Sequence, residues 1–245
     1  FNQLDAALSH ARQMVEEGAR IIDIGGESTR PGAPAISSDE EVARTVPVIK
    51  ALRSSLPGDV FLSIDTRKAA VAKAALDAGA SIVNDVSGLI HDPEMLTTCA
   101  ASDAGIVIMH MQGTPETMQE SPSYDNLLDD VRAFFATHLA ACQQAGIRQE
   151  RIVFDPGIGF GKTTDHNLSL LKNIPTLAPK NRPILLGVSR KSLISRTLGE
   201  RTVAERLAST LAMTTLARSA GIPLHRVHDV RENLDAIRMT EAIMA

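Results

Sequence analysis

The chain has 245 residues, of which 44% are hydrophobic and 22% charged, enough to build a sizeable core. A formal net charge of −4 argues against nucleic acid as a main partner, which would favour a basic face. No apolar run approaches the roughly 20 residues of a membrane span, so no membrane partner is expected, and the isolated Cys99 and Cys142 make no metal or disulfide framework and suit a reducing cytoplasm.

Residues 1–17 form a mixed amphipathic segment without a signal-peptide pattern. Leu4, Ala7, Leu8, Ala11, Met14 and Val15 recur at helical spacing, and Gly18 closes that helix. Short apolar runs then predict strands at residues 21–24, 60–64, 81–83, 105–109, 151–154, 184–188 and 224–227. Helical patterns fill the intervals, at about 37–52, 69–78, 93–101, 124–145, 166–172, and from Leu193 on toward Leu207 and Leu211, with 203–220 closed by Gly221, and 231–244 ends the chain. Ser37 and Ser38 precede Glu40 and Glu41 by three residues, a capping-box pattern. Strand and helix alternate without a composition shift, as in a parallel sheet. A single domain over residues 1–245 is expected, an α/β fold of the (β/α)8 TIM-barrel type. Seven strands after a leading helix place the barrel's first strand and its loop before Phe1. The competing fold, an open doubly wound sheet, is weakened because no GxGxxG turn follows a strand.

The strand ends carry the chemistry. In order they present Asp23, Asp65, Asn84 with Asp85, His110, Asp155, Lys191, and Arg226 with His228. In a barrel these ends gather at one pocket. Strand termination or helix capping is the better reading for Asp85 and Asp229 alone. Carboxylates beside an Asn suit a ligand rich in N–H donors, such as an amino-heterocycle. Lys191, Arg226 and His228 next to them suggest a cationic end that takes a phosphate.

Other features mislead. Gly161-Lys162-Thr163 looks like the end of a P-loop, but Pro156 stands where its first Gly belongs. Gly157, Gly159 and Gly161 rather let a loop turn tightly. His110 reads as a hydrogen-bonded core residue, and His225 and His228 face opposite sides of a strand. The Met residues read as core filler, and no activated nucleophile is visible.

Seven blocks identify a family. They are Ile22-Asp23-Ile24-Gly25-Gly26-Glu27-Ser28-Thr29-Arg30-Pro31-Gly32, Ser63-Ile64-Asp65-Thr66, Val83-Asn84-Asp85-Val86, Met109-His110-Met111-Gln112-Gly113, Asp155-Pro156-Gly157-Ile158-Gly159-Phe160-Gly161-Lys162, Gly187-Val188-Ser189-Arg190-Lys191-Ser192 and Arg226-Val227-His228-Asp229-Val230. In this order, from end to end, the chain resembles the dihydropteroate synthase family of pterin-binding barrels.

The resemblance implies a transferase of folate biosynthesis. It would condense 7,8-dihydropterin-6-ylmethyl diphosphate with 4-aminobenzoate, giving 7,8-dihydropteroate and pyrophosphate. The implied catalytic residues are Asp65, Asp155, Lys191, Arg226 and His228. The pterin positions are Asp65, Asn84, Asp155, Gly187 and Lys191, and the diphosphate positions Thr29, Arg226, Val227 and His228. Thr29, Arg30, Pro31, Phe160 and Ser192 match the loops around the aminobenzoate. Mg²⁺ on the diphosphate, a homodimer and a place among the sulfonamide targets are also implied. The family's metal-contacting Asn lies on the loop after the first strand, so no metal ligand is expected within residues 1–245. A pterin-binding methyltransferase, a Schiff-base aldolase using Lys191 and a non-catalytic pterin-binding paralogue are the alternatives.

Overall fold

The computed structural model describes every residue except Phe1 and Pro31, with the side chains of Asn2 and Gln3 also outside the description. Helix α1 (Asn2–Glu16) leads into β1 (Ile21–Gly25). Then follow α2 (Ser38–Ser55), β2 (Phe61–Asp65), α3 (Ala69–Asp77), β3 (Ile82–Asp85), α4 (Met95–Ala100), β4 (Gly105–Met109) and α5 (Leu127–Gln144). The second half holds β5 (Ile152–Asp155), α6 (Thr164–Lys172), β6 (Leu185–Leu186), α7 (Leu193–Leu198), α8 (Leu207–Ser219), β7 (Leu224–His225) and α9 (Val230–Met244).

Strands β1 to β5 pair in parallel and in sequence order. A parallel bridge from Phe154 to Ile184 carries the order on to β6, which pairs with β7. The strands thus fill seven consecutive places of a (β/α)8 TIM barrel. Between β7 and β1 the Arg226 guanidinium reaches Asp23 at 3.2 Å.

Side chains alternate across a strand, and the pairing register fixes which face each residue takes. Leu62, Ile64, Val83, Ile106, Ile108 and Phe154 lie on the helix-facing side and are fully or almost fully buried. There Phe154 meets Phe135 of α5, with ring centroids 4.5 Å apart. Burying a Phe of this kind contributes roughly 1.5–3 kcal/mol, so each strand is held from outside by its own helix. The opposite face carries Asp23, paired with Ser63, and Asp65, paired with Asn84.

The predicted strands and helices are present, with shifted ends. Ser37 caps α2 by accepting from the Glu40 N–H at 3.1 Å. The reciprocal half of the predicted box is absent, because the Glu40 carboxylate pairs with Arg44. Helix α5 starts at Leu127 rather than 124, where Asn126 caps it by accepting from the Asp129 N–H. Strand β6 is two residues long instead of five. Pro183 brings no donor to the ladder, and past Leu186 the backbone passes under Arg226: a Cβ at Gly187 would lie 3.4 Å from that guanidinium.

Candidate active site

The mouth of the barrel is built from strand ends. Asp65 and Asn84 are neighbours in register on β2 and β3. Asn84 donates from Nδ2 to Asp23 Oδ2 at 3.3 Å, which turns its Oδ1 away from Asp23. That Oδ1 and Asp65 Oδ1 are both buried with no hydrogen-bond partner. A buried acceptor without a donor costs about 1–3 kcal/mol, so two side by side mark a place where donors are to be supplied from outside the protein. Asp155 closes the acidic group from β5. Its Oδ1 accepts from the Gly157 N–H at 2.7 Å.

The cations do not stand apart from this group. Arg226 Nη1 lies 3.2 Å from Asp23 and 3.9 Å from Asp65, and Nη2 lies 3.6 Å from Asp155. The sequence suggests an acidic end and a cationic end; the structure interleaves them, because β7 comes round the barrel to face β1. Burial and the nearby Asp23 carboxylate push the Asp65 carboxyl well above the usual range, against the pull of Arg226. Lys191 donates to the Ile158 carbonyl and sits over the Phe160 ring, 4.6 Å from its centroid, a cation–π contact. Burial lowers its ammonium to about 8. His228 stands at the end of β7 with Nδ1 3.0 Å from Ser189 Oγ.

The loop residues are less closely tied to the site. Gly187 is buried beneath Arg226, and Val227 is half-buried between Arg226 and His228. Arg30 is near enough that its charge helps to lower the His228 pKa, after burial and Arg190. Thr29 makes no side-chain hydrogen bond among the described residues, and Ser192 is exposed at the start of α7. Pro31 lies outside the described residues.

Two strand-end residues do not face the mouth. Asp85 follows Asn84 and so points to the opposite face. Its carboxylate is filled by the Ser87 N–H and hydroxyl and the Leu89 N–H, which makes it a turn former. His110 follows Met109, one residue past β4, and packs edge-on against Phe134 of α5, with centroids 4.9 Å apart. Burial and Lys162 depress its pKa to about 3. Asp229 occupies the N-cap position of α9 but makes no side-chain cap bond. It instead pairs with Arg190.

Several buried polar groups have roles that the sequence does not announce. Lys162 is completely buried and donates to His110 Nδ1 at 3.0 Å, the His110 carbonyl at 3.1 Å and the Phe160 carbonyl at 2.9 Å. Burial lowers it to about 7. It pins the glycine loop against β4, where Gly157, at φ +64°, has room for no side chain: a Cβ would fall 2.0 Å from the His110 carbonyl oxygen. Around the β1–α2 loop, Lys68 bonds Glu27 and Glu41, each at 2.7 Å, and Arg67 bonds Glu27 at 2.7 Å. These partners are 27 to 41 residues apart in sequence, beyond the reach of any local pattern. Asp23 and Ser189 were legible only as members of a strand end and a motif.

The described residues do not assemble a cation site of their own. No group of three metal-ligating side chains gathers among them, and Arg226 stands among the mouth carboxylates.

The chain matches the family described as "Pterin binding enzyme" over residues 1–228. It is 43% identical over 243 residues to the dihydropteroate synthase of Synechocystis sp., covering 99% of this chain and 83% of that one. Among solved structures, the Yersinia pestis dihydropteroate synthase, in complex with a sulfonamide drug, superposes with a TM-score of 0.94 at 43% identity, covering 98% of this chain and 86% of that one. The Burkholderia cenocepacia dihydropteroate synthase, complexed with 7,8-dihydropteroate, gives a TM-score of 0.91 at 43% identity, covering 98% and 87%. With seven motifs in order, a barrel whose mouth holds two unanswered acceptors, and a match across nearly its whole length, the chain belongs to the pterin-binding enzyme family of the dihydropteroate synthases.

Proposed function

We propose that the chain is a dihydropteroate synthase, condensing 7,8-dihydropterin-6-ylmethyl diphosphate with 4-aminobenzoate to 7,8-dihydropteroate and pyrophosphate. The observation that carries this reading is the pair of orphaned acceptors, Asp65 Oδ1 and Asn84 Oδ1. A pterin offers an amino group and ring N–H donors along one edge, and acceptors on adjacent strands match such an edge. Asp155 and Lys191 flank the same place, with Lys191 able to donate to a ring acceptor, and Gly187 provides the room beneath.

In the reaction the bond from the pterin methylene to the diphosphate oxygen breaks, and its electron pair leaves with the diphosphate. The electron-rich ring spreads the positive charge. Asp65 and Asp155 favour that charge electrostatically. Arg226 and His228, with Thr29 and the Val227 backbone beside them, receive the departing diphosphate. The aminobenzoate nitrogen then bonds to the methylene and loses a proton. Arg30, Phe160 and Ser192 surround this second substrate. No covalent enzyme intermediate is required. Mg²⁺ accompanies diphosphates in general and belongs in the assay as the companion of the leaving group.

Sulfonamides, one of which the Yersinia enzyme holds, compete in this reading with aminobenzoate. A homodimer is supported by apolar side chains left exposed on α8 and α9, among them Leu216 at 70% and Ile243 at 77%. A cytoplasmic site is supported by the two buried free thiols, and no described helix is long and apolar enough to cross a membrane.

The test is pyrophosphate release from the dihydropterin diphosphate. Release that requires 4-aminobenzoate and yields dihydropteroate is expected. Tight pterin binding without turnover would sink the catalytic reading.

A further inference from the structure

We infer that Ser189 is a positioning residue that fixes the His228 imidazole as an Nε2–H donor toward the departing diphosphate. This rests on the synthase reading for the identity of the anion and on geometry for the rest. Ser189 is 5% exposed. Its Oγ accepts the His228 backbone N–H at 3.2 Å and lies 3.0 Å from His228 Nδ1. A buried hydroxyl needs an acceptor for its own hydrogen. Among the described residues the only one within reach is Nδ1. The reverse arrangement, Nδ1–H donating to Oγ, leaves a buried hydroxyl hydrogen without an acceptor. Nδ1 is therefore the unprotonated nitrogen, and in the neutral ring the hydrogen sits on Nε2. Burial and the Arg190 charge hold the ring toward that neutral form. Nε2 itself has no partner among the described residues, and His228 is an exposed residue.

The geometry is held from behind. Arg190, at φ +56°, takes a left-handed conformation uncommon for a residue with a side chain. Its turn separates Ser189, directed at His228, from Lys191, directed at Ile158. Its guanidinium grips Asp229, next to His228, through two nitrogens. Its backbone is tied to helix α8 and the segment before it, by the Thr210 hydroxyl at 3.1 Å and the Arg206 guanidinium at 2.8 Å. Ser189 and His228 are thus tied together across the ends of β6 and β7.

The experiment is nitrogen NMR on the full chain with labelled histidine, read with pyrophosphate-release kinetics. In the wild type the His228 ring is expected as the Nε2–H tautomer, and adding inorganic pyrophosphate should shift that nitrogen. Ser189→Ala should mix the tautomers and lower kcat/KM for the pterin diphosphate about tenfold; Ser189→Thr, which keeps the hydroxyl, should restore both. A Gln at 228 carries a donor without a tautomer, so in His228→Gln the added Ser189→Ala should cost little. An Nδ1–H tautomer in the wild type overturns the inference even if Ser189→Ala fails to fold. So does a Ser189→Ala variant with unaltered tautomer and kinetics. A serine-dependent Nε2–H signal that responds to pyrophosphate, in a chain that makes no dihydropteroate, would instead count against the synthase reading alone.

Discussion

Two buried clusters of charge lie within a few residues of each other and are built on opposite terms. At the barrel mouth, Asp65 and Asn84 each keep a buried oxygen unanswered, and the Asp65 carboxyl is pushed upward. Behind the β1–α2 loop, Glu27 receives Arg67, Lys68 and the Ile36 N–H, and these donors hold it down at about 2 against the opposing effect of burial. At the mouth the open atoms are both acceptors and the carboxylate is disfavoured; in the second cluster every charge has an opposite partner, although Glu41 Oε1 and Arg67 Nε also stand without a hydrogen bond. The difference separates groups open to a ligand, the proposed binding groups, from groups paired around the loop bearing Thr29 and Arg30.

The largest effect should come from breaking the charge-paired cluster. Lys68→Met strips Glu41, 1% exposed, of its only side-chain partner among the described residues and takes one of Glu27's. Removing one partner of a buried pair costs about 3–5 kcal/mol, and urea unfolding should show a loss in that range. A loss below about 1 kcal/mol would mean that the cluster is not holding the loop.

The pH dependence of stability should distinguish the clusters by sign. Glu27 has a folded pKa below its unfolded value of 4.5. Its contribution is full above about 4.5 and is lost as pH falls toward 2. Asp65 runs the other way: its folded pKa is raised, so its contribution is present below 3.8 and is lost as pH rises above that value. Unfolding measured from pH 2 to 7 should show a flatter acid limb in Glu27→Gln, by up to about 3 kcal/mol. An unchanged limb would place the acid sensitivity elsewhere.

At the mouth, the cost should fall on activity and not on stability. Asp65→Asn keeps the shape and removes a carboxylate that burial and Asp23 disfavour. Its stability at pH 7 should hold or rise, while kcat/KM falls by about a hundredfold, or roughly 2–3 kcal/mol. A variant that loses stability and keeps its activity would reverse the assignment.

These contrasts also explain what could be read in advance. Strands β1 to β5 were legible because each is a short apolar run between turns, and Asp65, Asn84 and Asp155 because they end such runs. Asp85 and His110 end runs too, but the two-residue period of the strand sends them to the helix side; exact strand phase, not composition, decides that. Arg226 reaches Asp23 across the barrel, a contact 203 residues apart in sequence, which no local pattern announces. The Glu27 cluster and Lys162 were illegible for the same reason. Their partners arrive from other strands and loops, and a lysine in a sequence carries no mark of being buried.

The smallest expected effect calibrates the rest. Lys73 and Asp77 sit four residues apart on α3, 2.8 Å from each other, with side chains 70% and 68% exposed. Their charges and spacing look as purposeful in the sequence as those of Lys68 and Glu41. In water such a pair contributes about 0.2–1 kcal/mol, so Lys73→Met should shift the urea midpoint barely at all, and high salt should shift it no further. If Lys73→Met cost as much as Lys68→Met, burial would not be what distinguishes the two pairs, and the contrast between a holding cluster and a binding mouth would lose its physical basis. A small loss there alongside a large one at Lys68 ties the cost to the buried Glu41 and Glu27, whose carboxylates have no water to replace the lysine.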